Sequence, residues 1–328
     1  MRRMFRPMAA CAMPALALLL AACAGGSRQV NIAAEQSATT PAAALQATFL
    51  QEIGWRGSGP GEFVGPTGIA ANALDQVFVV DTGNDRVQQF DPSGRYVGET
   101  GGFGWSDRQF NHPLGVAVGG NLRVWVADTQ NRRIVQFDTR LQWLGTTAQD
   151  LGIGSDAELG YPTALAVSSS GEVWYTDRDT DRLLRLSAFG EGGEFPGGTL
   201  GPGDLENPLG IAIGPDATIV VADTDHDRVV FYDQFGNMLR TWGEGFLQQP
   251  AGVFVTRDGD LIIADTGNDR VAFVNRLGRI IGTIGAHGTG PAAFDGPYDV
   301  AVTRDGHLWV TDSGNDRLQV FSLTRLTE

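Results

Sequence analysis

The chain has 328 residues, of which 42% are apolar and 19% charged, enough apolar material for a core and too much for a chain disordered throughout. Glycine occurs 45 times, about twice its usual share of roughly 7%, an excess a helical protein would not tolerate because each interior glycine costs a helix about 1 kcal/mol. Acids outnumber bases 38 to 24, every base is arginine, and a charge of −14 argues against a basic nucleic-acid module.

The first residues, Met1-Arg2-Arg3-Met4-Phe5-Arg6, form a basic head. An apolar run from Pro7 to Leu20 follows, then the small residues Ala21-Ala22 before Cys23. This order is that of a secretory signal, and the run is short for a bilayer span, which needs about 20 residues. Leu20-Ala21-Ala22-Cys23 resembles a bacterial lipobox. The resemblance implies cleavage after residue 22 and lipidation of Cys23; the alternative is an ordinary signal with an incidental cysteine. Two or three acyl chains would anchor the protein stably, where one would not. Ala24, rather than an Asp, then favours the outer membrane, facing the periplasm, over retention in the inner one. Loss of Arg2, Arg3 and Arg6 takes the charge from −14 to −17, and the mature domain keeps no free thiol for a disulfide, a Cys–zinc site or a Cys nucleophile. Residues 23–45 are small and polar without period, as in a flexible tether, although a short Ala-rich helix is also compatible with them.

From about residue 46 to the end at 328, one unit repeats. Pro66, Pro113, Pro162, Pro208, Pro250 and Pro297 each open a similar phrase, such as Pro208-Leu209-Gly210-Ile211-Ala212. Fifteen residues after each Pro stands an Asp (Asp81, Asp128, Asp177, Asp223, Asp265, Asp312), and five later an Arg (Arg86, Arg133, Arg182, Arg228, Arg270, Arg317). Spacings of 42 to 49 residues between these acids indicate a solenoid, propeller or array. In the fifth copy the apolar runs are Gly252–Thr256, Asp260–Ala264, Val271–Asn275 and Arg279–Ile284, separated by turn residues, and so read as four strands joined by hairpins. Runs such as Asp260-Leu261-Ile262-Ile263-Ala264 are apolar on both faces, as in a strand packed between two sheets.

The expected fold is all-β: a six-bladed β-propeller of four-stranded antiparallel blades. A right-handed β-helix is the competitor, but its coils are shorter and lack four strands per repeat. The last copy ends with its third strand near Phe321, whereas Thr48–Gly54 at the start is an unmatched fourth-strand phrase. The N-terminal strand should therefore complete the sixth blade, removing an open edge.

The phrases Gly59-Pro60-Gly61-Glu62-Phe63-Val64-Gly65-Pro66-Thr67-Gly68-Ile69-Ala70 and Asp81-Thr82-Gly83-Asn84-Asp85-Arg86-Val87 resemble the NHL repeat. The resemblance covers all six units and implies the propeller fold. It leaves function open among binding platforms, sensor domains, RNA binders and a peptide-amidating lyase branch.

The six Asp/Arg pairs read as structural staples, because a motif present in every blade is what every blade needs to fold. Each carboxylate is expected to accept N–H groups of the turn it opens, and each Arg to reach a carboxylate of its own or the adjacent blade through two parallel bonds. Asp177-x-Asp179-x-Asp181 and Asp223-x-Asp225-x-Asp227 begin like calcium loops but carry the staple Arg where such a loop needs Gly. The four histidines (His112, His226, His287, His307) occupy four different registers, so a three-His zinc site on the axis is not expected. No cofactor is predicted, although a divalent metal at the channel mouth, as in lactonase-like propellers, is not excluded. The face bearing the crossover loops varies most between copies, at Trp105, Arg108, Asn111, His112, Tyr161, Asn207, Tyr298 and Asp299, and is the candidate binding face. The expectation is a non-catalytic envelope scaffold, held to the membrane through Cys23, that binds a protein or small ligand and no nucleic acid. The alternative is a metal-dependent lyase or lactonase at the channel mouth.

Overall fold

The computed structural model describes residues 44–146, 160–186, 192–194 and 204–325. The signal, Cys23 and the tether up to residue 43 lie outside the described residues.

The repeat translates directly into sheets. In the first blade the innermost strand β2 (Pro66–Ala71) pairs with β3 (Val77–Asp81), then β4 (Arg86–Phe90), then the outermost β5 (Tyr96–Gly101). Four further blades follow the same order. They run from β6 (Gly115–Val118) to β9 (Trp143–Thr146), β10 (Pro162–Val167) to β13 (Gly192–Glu194), β14 (Pro208–Ile213) to β17 (Met238–Trp242), and β18 (Pro250–Val255) to β21 (Ile280–Ile284). The sixth contains β22 (Pro297–Val302), β23 (His307–Asp312) and β24 (Arg317–Arg325), with β1 (Leu45–Ile53) as its outer strand. Every pairing between these strands is antiparallel. The all-β six-bladed propeller, closed by its N-terminal strand, is thus the observed architecture. In the fifth copy the strand limits differ from the expected ones by one or two residues. β1 begins at Leu45, and β24 runs nine residues, past Phe321 to Arg325, because the two strands pair along their full length.

Burial follows position in the blade. Four of the second strands, among them Val77–Asp81 and Leu261–Asp265, are buried at every residue, because a middle strand is covered by a neighbouring blade on each face. The outermost β1 alternates between half-buried and exposed, as a one-sided strand does. The core is six clusters, one at each blade-to-blade interface. The cluster joining the sixth blade to the first contains Trp309, Val320, Phe63 and Val79, so the seam is packed like the other five interfaces.

Near the axis the first strands approach closely. At Gly68, Gly115, Gly210 and Gly252 an added Cβ would fall inside van der Waals distance of the next blade's backbone, which explains a glycine two residues after the repeat Pro. The third blade has Ala164 at this register and the sixth has Asp299.

Candidate functional site

The Asp/Arg staples hold the crossover loops onto the face where the candidate residues lie. Asp81 is fully buried; its Oδ1 accepts the Val64 N–H at 2.8 Å, and its Oδ2 accepts Arg86 Nε at 2.7 Å and Asn84 Nδ2 at 2.8 Å. The remaining Arg86 donors reach the carbonyls of Ser58, Gly59 and Glu62 and the carboxylate of Glu99. Asp128/Arg133, Asp223/Arg228, Asp265/Arg270 and Asp312/Arg317 repeat the Nε bond at 2.6–2.8 Å.

Two details of the expected staple are corrected. Asp81, Asp128, Asp223, Asp265 and Asp312 do not cap the one-turn helix they precede; each accepts a backbone N–H from the crossover loop, 17 residues earlier. Only Asp177 bonds a turn N–H, that of Asp179, in addition to that of Tyr161. Nor do the arginines form two parallel bonds to the staple carboxylate. In Arg86, Arg133, Arg228, Arg270 and Arg317 a single Nε bond meets it; the rest of the fork goes to loop carbonyls and, in Arg86, Arg228 and Arg317, also to a second carboxylate, Glu99, Glu244 and Glu52. Burial pushes Asp81 and Asp128 above the usual carboxylate range, against the pull of their arginines and N–H donors.

Two further repeated devices were not read from the sequence. The residue after each staple Asp is Thr82, Thr129, Arg178, Thr224, Thr266 or Ser313. The five hydroxyls each donate to the repeat-Pro carbonyl of the next blade, at 2.7–2.8 Å for the four threonines. At the third blade Arg178 breaks this belt, and Thr163, from the inner strand, supplies the bond to the Pro208 carbonyl at 2.8 Å. The second device is an acid in the left-handed conformation before each staple Arg: Asp85, Asp181, Asp227, Asp269 and Asp316. Each accepts the N–H of the residue before the next blade's Pro: His112, Asn207, Gln249, Gly296 and Gly65. The second blade breaks this rule with Arg132, whose guanidinium lies 5.5 Å from the Tyr161 ring centroid.

The eight candidate face residues therefore separate. Asn111 and Asn207 serve mainly through backbone N–H groups in the staples and clips. Trp105 is exposed, packs edge-on against Phe103 and lends its carbonyl to Arg133, so it belongs to the rim of the face along with Arg108. His112, Tyr161, Tyr298 and Asp299 lie nearer the axis. The central cavity, about 190 Å³, is lined by inner-strand residues such as Ala70, Val116, Leu165, Ile211 and Val253, together with Asp299, the one of the eight candidates that reaches it.

Asp299 is the only charged lining residue of this cavity among the described residues. Its Oδ2 accepts the Ile69 N–H of the first blade at 3.0 Å and its Oδ1 that of Val300 at 2.8 Å, bonds that favour the ionised form. Desolvation outweighs them and pushes its pKa up to about 7. Burial and the neighbouring Asp299 raise Tyr298, while Arg178, from the opposite blade, pulls it down. The His112 imidazole is held below its usual pKa by burial and then by Arg178, with Asp85 opposing. No side-chain hydrogen bond or ion pair joins Arg178, His112 or the Tyr298 hydroxyl to a described residue. One mouth of the channel thus gathers a guanidinium, an imidazole and a phenol above a half-buried carboxyl. The sign for Arg178 was in the sequence, one arginine among five hydroxyl residues, but it needed the belt to become legible.

A second cluster lies on the rim: Asp269, His287 and Asp295 place ligand-type atoms within 4.8 Å of one another. These residues come from unlike registers, so a search of equivalent positions does not find them. Asp269 Oδ1 already accepts the Gly296 N–H, and His287 Nδ1 lies 3.1 Å from Asp269 Oδ2.

A protein-family model for the NHL repeat matches residues 63–90, 110–137 and 294–321, the region from the crossover Phe to the third strand in the first, second and sixth blades. Three of the blades are NHL repeats. The chain is 29% identical over 183 residues to protein brain tumor of Drosophila melanogaster, a match spanning 55% of this chain and 12% of that protein. Among solved structures, a Bacteroides thetaiotaomicron protein of unknown function aligns with a TM-score of 0.65 at 17% identity, covering 86% of this chain and 76% of that one. A Xanthomonas campestris gluconolactonase aligns at 0.62 and 17%, covering 86% and 98%. Virginiamycin B lyase from Staphylococcus aureus aligns at 0.57 and 13%, covering 85% and 99%. At these identities the likeness is one of fold.

Proposed function

We propose that this NHL propeller is a cell-envelope lipoprotein, anchored through Cys23 in the outer membrane, that serves as a non-catalytic docking platform for a protein or small ligand. The supporting observation is the convergence of rule-breaking residues on one mouth. Arg132 replaces an acid, Arg178 replaces a hydroxyl, and Asp299 replaces a small residue, in blades where the other copies keep the structural residue. Residues released from a structural repeat, and the Arg178 and His112 side chains, which pair with no other side chain among the described residues, are available to a ligand.

The competing reading is an enzyme at the same mouth, and the elevated pKa of Asp299 favours it, since a carboxyl titrating near neutrality can move protons. The ring at its level pairs that carboxyl with Gly68, Gly115, Ala164, Gly210 and Gly252, which carry no metal-ligating side chains. This donor set does not fit a multidentate metal site at that level of the axis.

In-cell crosslinking followed by capture, comparing the wild type with Arg178→Thr, tests the platform. Threonine is the residue of four other blades, so the fold should be kept, and a specific crosslinked species should disappear. Identical crosslinking by both proteins would refute the assignment of the mouth. A stoichiometric tightly held divalent ion with lyase or lactonase turnover would replace the platform by the enzyme.

A further inference from the structure

On the opposite face of the ring, blades four and five enclose a cavity of about 420 Å³, within the size range of roughly 300–1,000 Å³ usual for small-molecule sites. Three guanidiniums line it: Arg240 from β17, Arg257 from the turn that follows β18, and Arg276 from the turn that precedes β21. No side-chain hydrogen bond or ion pair joins any of them to another described residue. Arg240 is set in place by stacking, its guanidinium carbon 3.6 Å from the centroid of the buried Phe231 ring. Burial lowers its pKa from the usual arginine value, as expected of a cation partly stripped of water without a counter-ion.

This charge departs from the repeat. The strand position of Arg240 is held by Gly98, Gly145, Gly193 and Gly282 in four other blades and by Gln51 in the sixth. The outer turn opens with Asp91, Asp138 and Asp233 in the first, second and fourth blades, and with neutral Asn275 in the fifth. Asn275 Oδ1 accepts the same two turn N–H groups, from Leu277 and Arg279, that Asp233 accepts from Phe235 and Asn237, so the turn is kept while the negative charge beside Arg276 is removed. Of the two carboxylates in the wall, Asp216 Oδ1 accepts the Thr218 N–H of its own turn at 3.1 Å, and Asp258 Oδ2 lies 3.5 Å from Arg325, outside the wall.

We propose that this cavity binds a phosphate-bearing ligand, with Arg240, Arg257 and Arg276 converging on the phosphate oxygens. Three guanidiniums offer more N–H donors than a two-oxygen carboxylate can accept, whereas a phosphate group presents more oxygens and, as a monoester, nearly two negative charges. Its source is either a soluble phosphate ester or a phospholipid headgroup, the latter aided by exposed Leu239 in the wall and exposed Leu277 in the adjoining turn.

The full chain and its Arg240→Gln/Arg276→Gln variant are compared by calorimetric titration with inorganic phosphate, against chloride at equal ionic strength. Glutamine already occupies the Arg240 position in the sixth blade, and equal melting temperatures confirm that the variant is folded. The expected result is phosphate binding weakened at least about tenfold in the variant. Co-sedimentation with phosphatidylcholine vesicles containing phosphatidylglycerol separates the sources. Vesicle binding that falls with phosphate binding assigns a headgroup; a vesicle response equal in the two proteins, with phosphate binding lost, assigns a soluble ester. Equal phosphate binding by wild type and variant, or none above the chloride control, overturns the proposal.

Discussion

Removal of the Asp128 carboxylate tests the staple most sharply. Asp128→Ala deletes three bonds of a fully buried group: the Asn111 N–H at 2.8 Å, Asn131 Nδ2 at 2.8 Å and Arg133 Nε at 2.6 Å. It leaves the Arg133 cation, its side chain only 13% exposed, with three carbonyls and no carboxylate among the described residues. A stranded buried charge of this kind costs about 3–5 kcal/mol. Asp81→Ala is the internal comparison, because Arg86 keeps a second carboxylate, Glu99 Oε2, at 2.9 Å from its Nη1. Its cost should be lower, about 2–3 kcal/mol, mostly the orphaned Val64 N–H and the weakened pair. Equilibrium urea unfolding at pH 7.5 measures both. A cost below about 1 kcal/mol for Asp128→Ala, or a larger cost for Asp81→Ala than for Asp128→Ala, would refute the view that these acids act by neutralising a buried arginine.

Other outcomes follow from the same geometry. The folded chain holds the Asp299 proton up to about pH 7, whereas an unfolded Asp releases it near 3.8, so stability should fall as pH rises across that window and level off above it. Asp299→Asn should remove this part of the slope, at most about 4 kcal/mol, and unfolding curves at pH 5 and 8 that differ as much in the variant as in the wild type would contradict it. Deleting residues 45–53 strips β24 of its partner and exposes the half-buried side of the sixth blade, so calorimetry should show a large loss of melting temperature; an unchanged transition would disprove closure. Cys23→Ser should release the protein from the membrane fraction, and retention there would argue against acylation at that residue.

The sequence by itself carried the fold. Six copies of a Pro, an Asp fifteen residues on and an Arg five later, with four short apolar runs in each, leave few ways to bury strands that are apolar on both faces. The unmatched first strand even indicated how the ring closes. Local periodicity encodes these features because strand alternation and turn chemistry act within a few residues. What only the tertiary structure decided was which deviations matter. Arg178 looks like ordinary drift until Thr82, Thr129, Thr224 and Thr266 are seen to donate to the next blade, and Arg132 until five neighbouring acids are seen to do the same work as acceptors. Likewise Arg240, Arg257 and Arg276 are spread over 36 positions of the chain and face one cavity only because two blades pack side by side. Contacts between blades depend on closure of the ring, and no window of sequence short enough to show a pattern contains both partners.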